Sequence, residues 1–264
     1  MRYDLTVIGA GGTGSFFLKE ISRFLVDNHK IETLIIFDGD TVEKKNLARQ
    51  AFAPEDIGRN KAVVMAECLN EAFGLNWHAY PYFITEENQV WKAIEDTRTS
   101  HGECLPIIVS CVDNHGCRLV LEKLFSDCKN IAYFDAANEY TTGEVVFSYR
   151  VNSKTYGPPR SYYFPDILKG DTRSREEMSC EELNKVEPQH IFTNMLSGNL
   201  LCSAVSNLLE QKSTPGVAYF NAHRYDVRFV SYAACQKAAF KGTISKKGEK
   251  KVTRSGRGTE RRKK

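Results

Sequence analysis

An open α/β fold, doubly wound about a mostly parallel sheet with antiparallel strands added toward the C-terminal side, is what this sequence predicts. Three observations predict it. Short apolar strands alternate with amphipathic helices through the first half of the chain, and a glycine turn joins the first strand to the first helix. The run Pro106–Cys111 (PIIVSC) is continuously apolar, as a parallel strand covered on both faces must be.

Taken in order, Tyr3–Ile8 is the first strand, Gly9–Gly14 the turn and Ser15–Val26 an amphipathic helix. Leu34–Phe37 is a second buried strand that ends on the carboxylates Asp38 and Asp40. Lys61–Phe73 reads as a helix with Val64, Leu69 and Phe73 toward a core; Trp77–Tyr80 as a strand; Glu86–Glu95 as a helix. After the central strand, His115–Phe125 is helical and Ile131–Phe134 extended. Glu144–Val151 alternates as an antiparallel strand at the edge should. Residues 152–188 hold four prolines and little periodicity, and predict a long crossover loop. Gln189–Leu209 is again helical, with Val217–Asn221 and Tyr225–Tyr232 as a closing pair of strands. Strands regularly followed by helices give right-handed crossovers and a Rossmann-like sheet.

The bulk numbers set limits. A chain of 264 residues, 42% hydrophobic and 26% charged, has ordinary globular composition, so disorder is not the default. Without a long apolar run or a signal-peptide layout, a cytoplasmic protein with no membrane contact is expected. Eight cysteines contain no CxxC pair, so no structural zinc and free thiols are expected. The net charge of +3 divides into about +10 over Lys237–Lys264 and about −7 elsewhere. Residues 1–236 are therefore read as one domain, and 237–264 as a solvated basic tail open to nucleic acid or an acidic partner.

The chemistry sits on the turns. Gly9-Ala10-Gly11-Gly12-Thr13-Gly14 fits GxGxxG, where glycines let the backbone approach phosphates and a helix N-terminus offers free N–H groups. Asp38, at the end of the second strand, can accept hydrogen bonds from ribose hydroxyls, in an ATP site or an NAD site alike. Arg49 and Lys61 suit phosphate oxygens, Asn46 and Gln50 can orient phosphate or ribose, and Asp113 lies just past the central strand where a hard carboxylate suits Mg²⁺.

The run Asp38-Gly-Asp40-Thr-Val-Glu-Lys-Lys-Asn46-Leu-Ala-Arg49-Gln50 resembles the D-x-D-x-V-x-x-x-N-L-x-R-Q signature of the ThiF/MoeB and ubiquitin-activating-enzyme family. Asp56-Ile-Gly58-Arg-Asn-Lys61-Ala62 resembles that family's D-x-G-x-x-K-A, and Cys111-Val-Asp113-Asn114 with Arg118 its C-x-D-N-x-x-x-R. The resemblance implies ATP-dependent adenylation of the C-terminal carboxylate of a small ubiquitin-like protein ending in glycine. It implies Arg49, Lys61 and Asp113 as catalytic residues, with Mg²⁺ on Asp113 and ATP held by Gly9, Gly11, Gly12, Gly14, Asp38, Asp40, Asn46, Gln50 and Asn114.

It also implies Cys180, in the crossover loop, as a thiol that takes the acyl group; an incidental thiol is the alternative. A homodimer is implied too, although only Arg2 precedes the first strand where bacterial relatives place an arginine that reaches the partner's site. The stretch Ser179–Asn194 with Leu200–Leu209 is similar to the ThiF-related protein of PRTRC cassettes. Two other readings stay open: a nucleotide-gated scaffold without turnover, and an NAD-dependent enzyme using the same glycine turn.

Overall fold

The computed structural model describes residues 1–99, 102–170 and 189–237. Its strands are β1 (Arg2–Ile8), β2 (Ile31–Phe37), β3 (Trp77–Tyr80), β4 (Cys104–Ser110), β5 (Ile131–Asn138), β6 (Thr142–Val151), β7 (Lys154–Gly157), β8 (Gly216–Asn221) and β9 (Asp226–Ser231). The helices are α1 (Gly12–Leu25), α2 (Lys61–Phe73), α3 (Glu87–Thr97), α4 (His115–Asp127), α5 (Arg160–Tyr163) and α6 (Ile191–Leu209). The strands form one sheet in the order β3-β2-β1-β4-β5-β6-β8-β9, with β7 also paired to β6.

From β3 through β5 every pairing is parallel, and from β5 through β9 every pairing is antiparallel. The chain winds outward from β1 through β2 to β3, then crosses back to lay β4 on the other side of β1. That reversal opens a crevice at the carboxyl ends of β1 and β4, where sheets of this kind take their ligands.

Two cores follow from the strand alternation. Leu5, Val7, Ile36 and Val109 pack under α1, α2 and α6 with Phe17, Ile21, Leu69, Leu201 and Val205. Ile35, Phe37, Ile108 and Tyr133 pack under α3 and α4 with Val90, Ile94, Leu121 and Phe125. Each such fully buried side chain contributes about 1.5–3 kcal/mol. Buried Asp4 on β1 is accommodated because Thr33 donates to it at 3.0 Å and Arg98 pairs with it. No helix among the described residues is long and apolar enough to cross a membrane.

The structure departs from the sequence reading at several points, β2 starting at Ile31 rather than Leu34 and β5 running on to Asn138 rather than stopping at Phe134. Helix α1 begins at Gly12 rather than Ser15, because the last glycines of the turn already have helical backbone. Strand β6 is antiparallel but not at the edge, since β8 continues the sheet beyond it. Residues 154–169 are not a bare loop. Asn152 (φ +49°) and Ser153 (φ +63°) turn the chain so that β7 folds back on β6, and α5 and a 3₁₀ turn at Pro165–Lys169 follow. Residues 171–188, with Cys180, and 238–264, nearly all of the basic tail, lie outside the described residues.

Candidate functional site

The glycine turn is shaped by contacts that no side chain could share. Gly9 has φ +92°, and a Cβ there would meet the Cys111 carbonyl oxygen at 2.9 Å. A Cβ on Gly14 would lie 1.9 Å from the Gly9 carbonyl oxygen. The turn is therefore pressed between the ends of β1 and β4. Gly11, the residue capping α1, supplies no side-chain acceptor, so the first N–H groups of that helix remain available to an anion.

Asp38 shapes the turn before it can serve a ligand. Its carboxylate accepts from the Ala10 N–H at 2.6 Å and from the Asp40 N–H at 2.8 Å. Burial raises its pKa above the ordinary 3.8, outweighing those two donors and nearby Lys61. Each carboxylate oxygen keeps a second lone pair, enough to accept a hydroxyl donor as well.

Asn60 is a residue the sequence reading passed over. It caps α2 by accepting from the Val63 N–H at 3.1 Å, and its amide donates to the carbonyls of Asp38 (2.8 Å) and Asp40 (3.0 Å). This one side chain fixes the carboxylate segment to the start of α2. Lys61, the next residue, is buried, and its ammonium pairs with Asp40 at 2.8 Å. Gly58 at φ +87° and Asp56, which accepts from the Ala53 N–H at 2.8 Å, make the turn that leads into that helix.

Segment 46–51 lies across the glycine turn. The Ala51 N–H donates to Ser15 Oγ at 3.0 Å, and a Cβ on Gly11 would sit 3.9 Å from Gln50 Nε2. Gln50 is buried, and its Oε1 has no hydrogen-bond partner among the described residues. Asn46 spends its oxygen on its own turn, accepting from the Glu43 N–H at 2.8 Å. Arg49 is half-exposed, and its guanidinium makes no ion pair among the described residues.

Two further asparagines, also missed, close the floor. Asn138 donates to Thr13 Oγ1 at 2.6 Å and to Asn194 Oδ1 at 3.2 Å, and Asn194 donates to the Arg49 carbonyl at 3.3 Å. A Cβ on Gly12 would fall 2.5 Å from the Asn194 amide, so α6 presses this network against the first turn of α1. Neither asparagine belongs to a glycine or charge motif; only their place at the ends of β5 and α6 reveals them.

On the β4 side, Asp113 is exposed just beyond the strand, and Asn114 caps α4 by accepting from the Cys117 N–H at 2.8 Å. Buried Arg118 donates to the carbonyls of Val112 and, at 3.0 Å, Ala136, and pairs with Asp135 at 3.3 Å. Burial alone would raise the Asp135 pKa, but Arg160 and Arg118 outweigh it and leave it below the ordinary 3.8. Its stabilising contribution is thus complete above the unfolded carboxylate value of about 3.9 and is lost as pH falls through the lower folded value. Stability measured from pH 5 to pH 2 should fall less steeply in Asp135→Asn than in the wild type.

The glycine turn after β1, the paired carboxylate and ammonium after β2 and the exposed carboxylate after β4 share one end of three neighbouring strands. The model of the ThiF family matches residues 2–241. The chain belongs to the ThiF family.

ThiF-family relatives show how far the likeness extends. Ubiquitin-like modifier-activating enzyme 5 of Oryza sativa subsp. japonica is 27% identical over 129 residues, covering 46% of this chain and 29% of the relative. The enzyme of that name from Dictyostelium discoideum is 30% identical over 124 residues, covering 46% and 31%. The chain thus spans about a third of the length of these curated relatives. Among solved structures, PaaA superposes with a TM-score of 0.62 at 13% identity, covering 87% of this chain and 64% of PaaA. E. coli MccB, crystallised with ATP, gives 0.60 at 16%, covering 86% and 63%. These two likenesses establish a shared fold.

Three thiols of this ThiF-family chain, Cys111, Cys117 and Cys202, are poor nucleophiles. Burial pushes Cys117 and Cys202 up to about 12, and burial with Asp135 nearby pushes Cys111 higher still. These three should resist alkylation at pH 8 in the folded protein and react once it is denatured, as a thiol-counting assay would show. Among the described residues no group of three or more histidine, cysteine, aspartate or glutamate side chains is placed to hold a metal ion. A Mg²⁺ held by Asp113 and phosphate oxygens would need no such group, and the hard carboxylate fits it.

Proposed function

We propose that this chain binds Mg-ATP in the crevice between β1 and β4 and adenylates the C-terminal carboxylate of a small ubiquitin-like protein ending in glycine. The observation that carries this is the joint fixation of Asp38, Asp40 and Lys61 by Asn60, directly beside a glycine turn that leads into an uncapped helix N-terminus.

In this reading the α1 N–H groups take phosphate oxygens, and Asp38 accepts from a ribose hydroxyl. Phe83 is exposed, and its ring lies against Gly39, where a Cβ would come within 2.6 Å; it offers the base a face to stack on. Gln50, with its unpartnered buried oxygen, accepts from the ligand.

The reaction is a displacement at phosphorus. A partner carboxylate oxygen bonds to the α-phosphorus, the bond to the bridging oxygen breaks, and pyrophosphate leaves with its electron pair. Lys61 and Arg49 answer the charge that gathers on the phosphates, Arg49 through its forked donors. Asp113 holds Mg²⁺, which supplies Lewis-acid screening when bound. Asp40 keeps the Lys61 ammonium preset within the crevice.

The names of the relatives support a small-protein partner, and MccB was crystallised with MccA. Passage of the acyl group to Cys180, a ubiquitin-like component of a PRTRC set as the partner and assembly as a homodimer are finer parts of the proposal, resting on sequence resemblance. Arg2 does not supply the upstream cation to its own site. It pairs with Glu32 at the start of β1, about 20 Å of strand from the glycine turn.

The test is exchange of labelled pyrophosphate into ATP, driven by a small glycine-ending protein that co-purifies with the chain. Exchange that needs the partner's last glycine supports the proposal. Hydride transfer with NAD, or ATP and partner binding with no exchange, points instead to the oxidoreductase or scaffold reading.

A further inference from the structure

Asp135 is fully buried on β5, and it faces two guanidiniums at once. Arg118 pairs with one oxygen at 3.3 Å, and Arg160 pairs with the other. Arg160 also pairs with Glu144 at 2.6 Å, donates to the Asp135 carbonyl at 3.2 Å, and lies 5.0 Å from the Phe164 ring centroid. Two cations and two anions make a neutral cluster, which is the condition for keeping such charges inside a fold.

What the cluster joins is informative. Arg118 donates to the carbonyl of Val112, the residue before Asp113. Arg160 is the first residue of α5, which opens the segment leading toward residues 171–188. A second tie runs beside the first: the Ser161 N–H donates to the Glu122 carboxylate on α4 at 2.8 Å. Buried Ile167 then anchors the 3₁₀ turn.

We infer that Asp135 is a positioning residue that couples the loop carrying Asp113 to the start of the crossover at Arg160. The chain of contacts is Val112 carbonyl, Arg118, Asp135, Arg160. A shift of α5, such as docking of a partner protein would produce, moves Arg160 and is felt at the Asp113 loop through the shared Asp135 carboxylate, beside the Ser161–Glu122 tie. Packing alone would not require this arrangement. An apolar pair at these positions would fill the space with no desolvation cost. The functional meaning of the coupling rests on the proposal that the Asp113 loop serves the nucleotide, but the coupling itself does not.

Hydrogen exchange of the full-length chain tests it, comparing wild type with Arg160→Met and Arg160→Lys. Arg160 is tied to Asp135 and Glu144 on β5 and β6, and Arg160→Met should speed amide exchange at 111–116 about tenfold, with β1 and β2 amides unchanged. Arg160→Lys, which keeps the charge without the fork, should recover part of the protection. If Arg160→Met does not fold, Arg160→Lys alone should show a smaller rise confined to 111–116 and 158–169. Faster exchange at 158–169 with 111–116 unchanged overturns the coupling, and so does a uniform rise across the sheet. Titration of the same samples with Mg-ATP separates the two ideas: a wild type that binds no Mg-ATP sinks the proposed function and leaves the exchange result to decide the coupling.

Discussion

Lys61→Ala is expected to lower partner-driven pyrophosphate exchange about 100–1,000-fold, the scale on which preorganised charge stabilisation acts in a water-poor site. Two effects add. The ammonium proposed to answer phosphate charge is gone, and the Asp40 carboxylate it paired with at 2.8 Å would be left facing the proposed anionic ligand. Lys61→Arg should recover little, because a planar fork does not reproduce the point charge that the buried ammonium sets beside Asp40. Arg49→Ala should cost less, about 10–100-fold, as expected for one set of charge-assisted hydrogen bonds from a half-exposed side chain. An unchanged rate in Lys61→Ala would remove this cation from the mechanism.

Gly14→Ala should lose both stability and nucleotide affinity. The added methyl would sit 1.9 Å from the Gly9 carbonyl oxygen and 3.3 Å from Cys111 Cβ. Both neighbours belong to the turns that line the crevice, and the first is backbone, which cannot swing aside. Overpacking of this kind costs about 1–3 kcal/mol, or about 2–12 °C in Tm for a chain of this size. Mg-ATP affinity should fall at least about tenfold as the turn shifts. Gly74→Ala is the control. That glycine ends α2 at φ +64° with open space around it, so the change costs about 1 kcal/mol of backbone strain and leaves affinity alone. Equal losses in the two variants would show that the turn has no special role.

The parts of this molecule that were legible in its sequence are those written in local pattern. The buried strands have continuous apolar runs, and α2 and β3 begin and end where periodicity places them. The glycine turn announces itself because only glycine tolerates a carbonyl at 1.9 Å from where a Cβ would be. The segment after Val151 was not legible: the turn at Asn152–Ser153 lacks the Asn-Gly pair that usually marks a hairpin, and prolines hid the short helical turns behind it.

The site shows the same division. Asp38, Lys61 and Asp113 stand at strand ends or helix starts and are readable by position. Asn138 and Asn194 are 56 residues apart and meet only because β5 ends beside the first turn of α6. Such a contact is a property of the sheet order, which no local window contains. Asn46 had the opposite fate. It sits inside the motif, yet its oxygen serves its own backbone turn.

Calorimetric titration of the full-length chain with Mg-ATP, alongside Arg49→Ala, Lys61→Ala and Asp113→Ala, tests the central claim most directly. One site per chain is expected, with each substitution weakening it by about 10–100-fold and the Asp113 variant losing its dependence on Mg²⁺. A wild type that ignores ATP, or binds it with an affinity that none of the three substitutions changes, would contradict the placing of the nucleotide between β1 and β4.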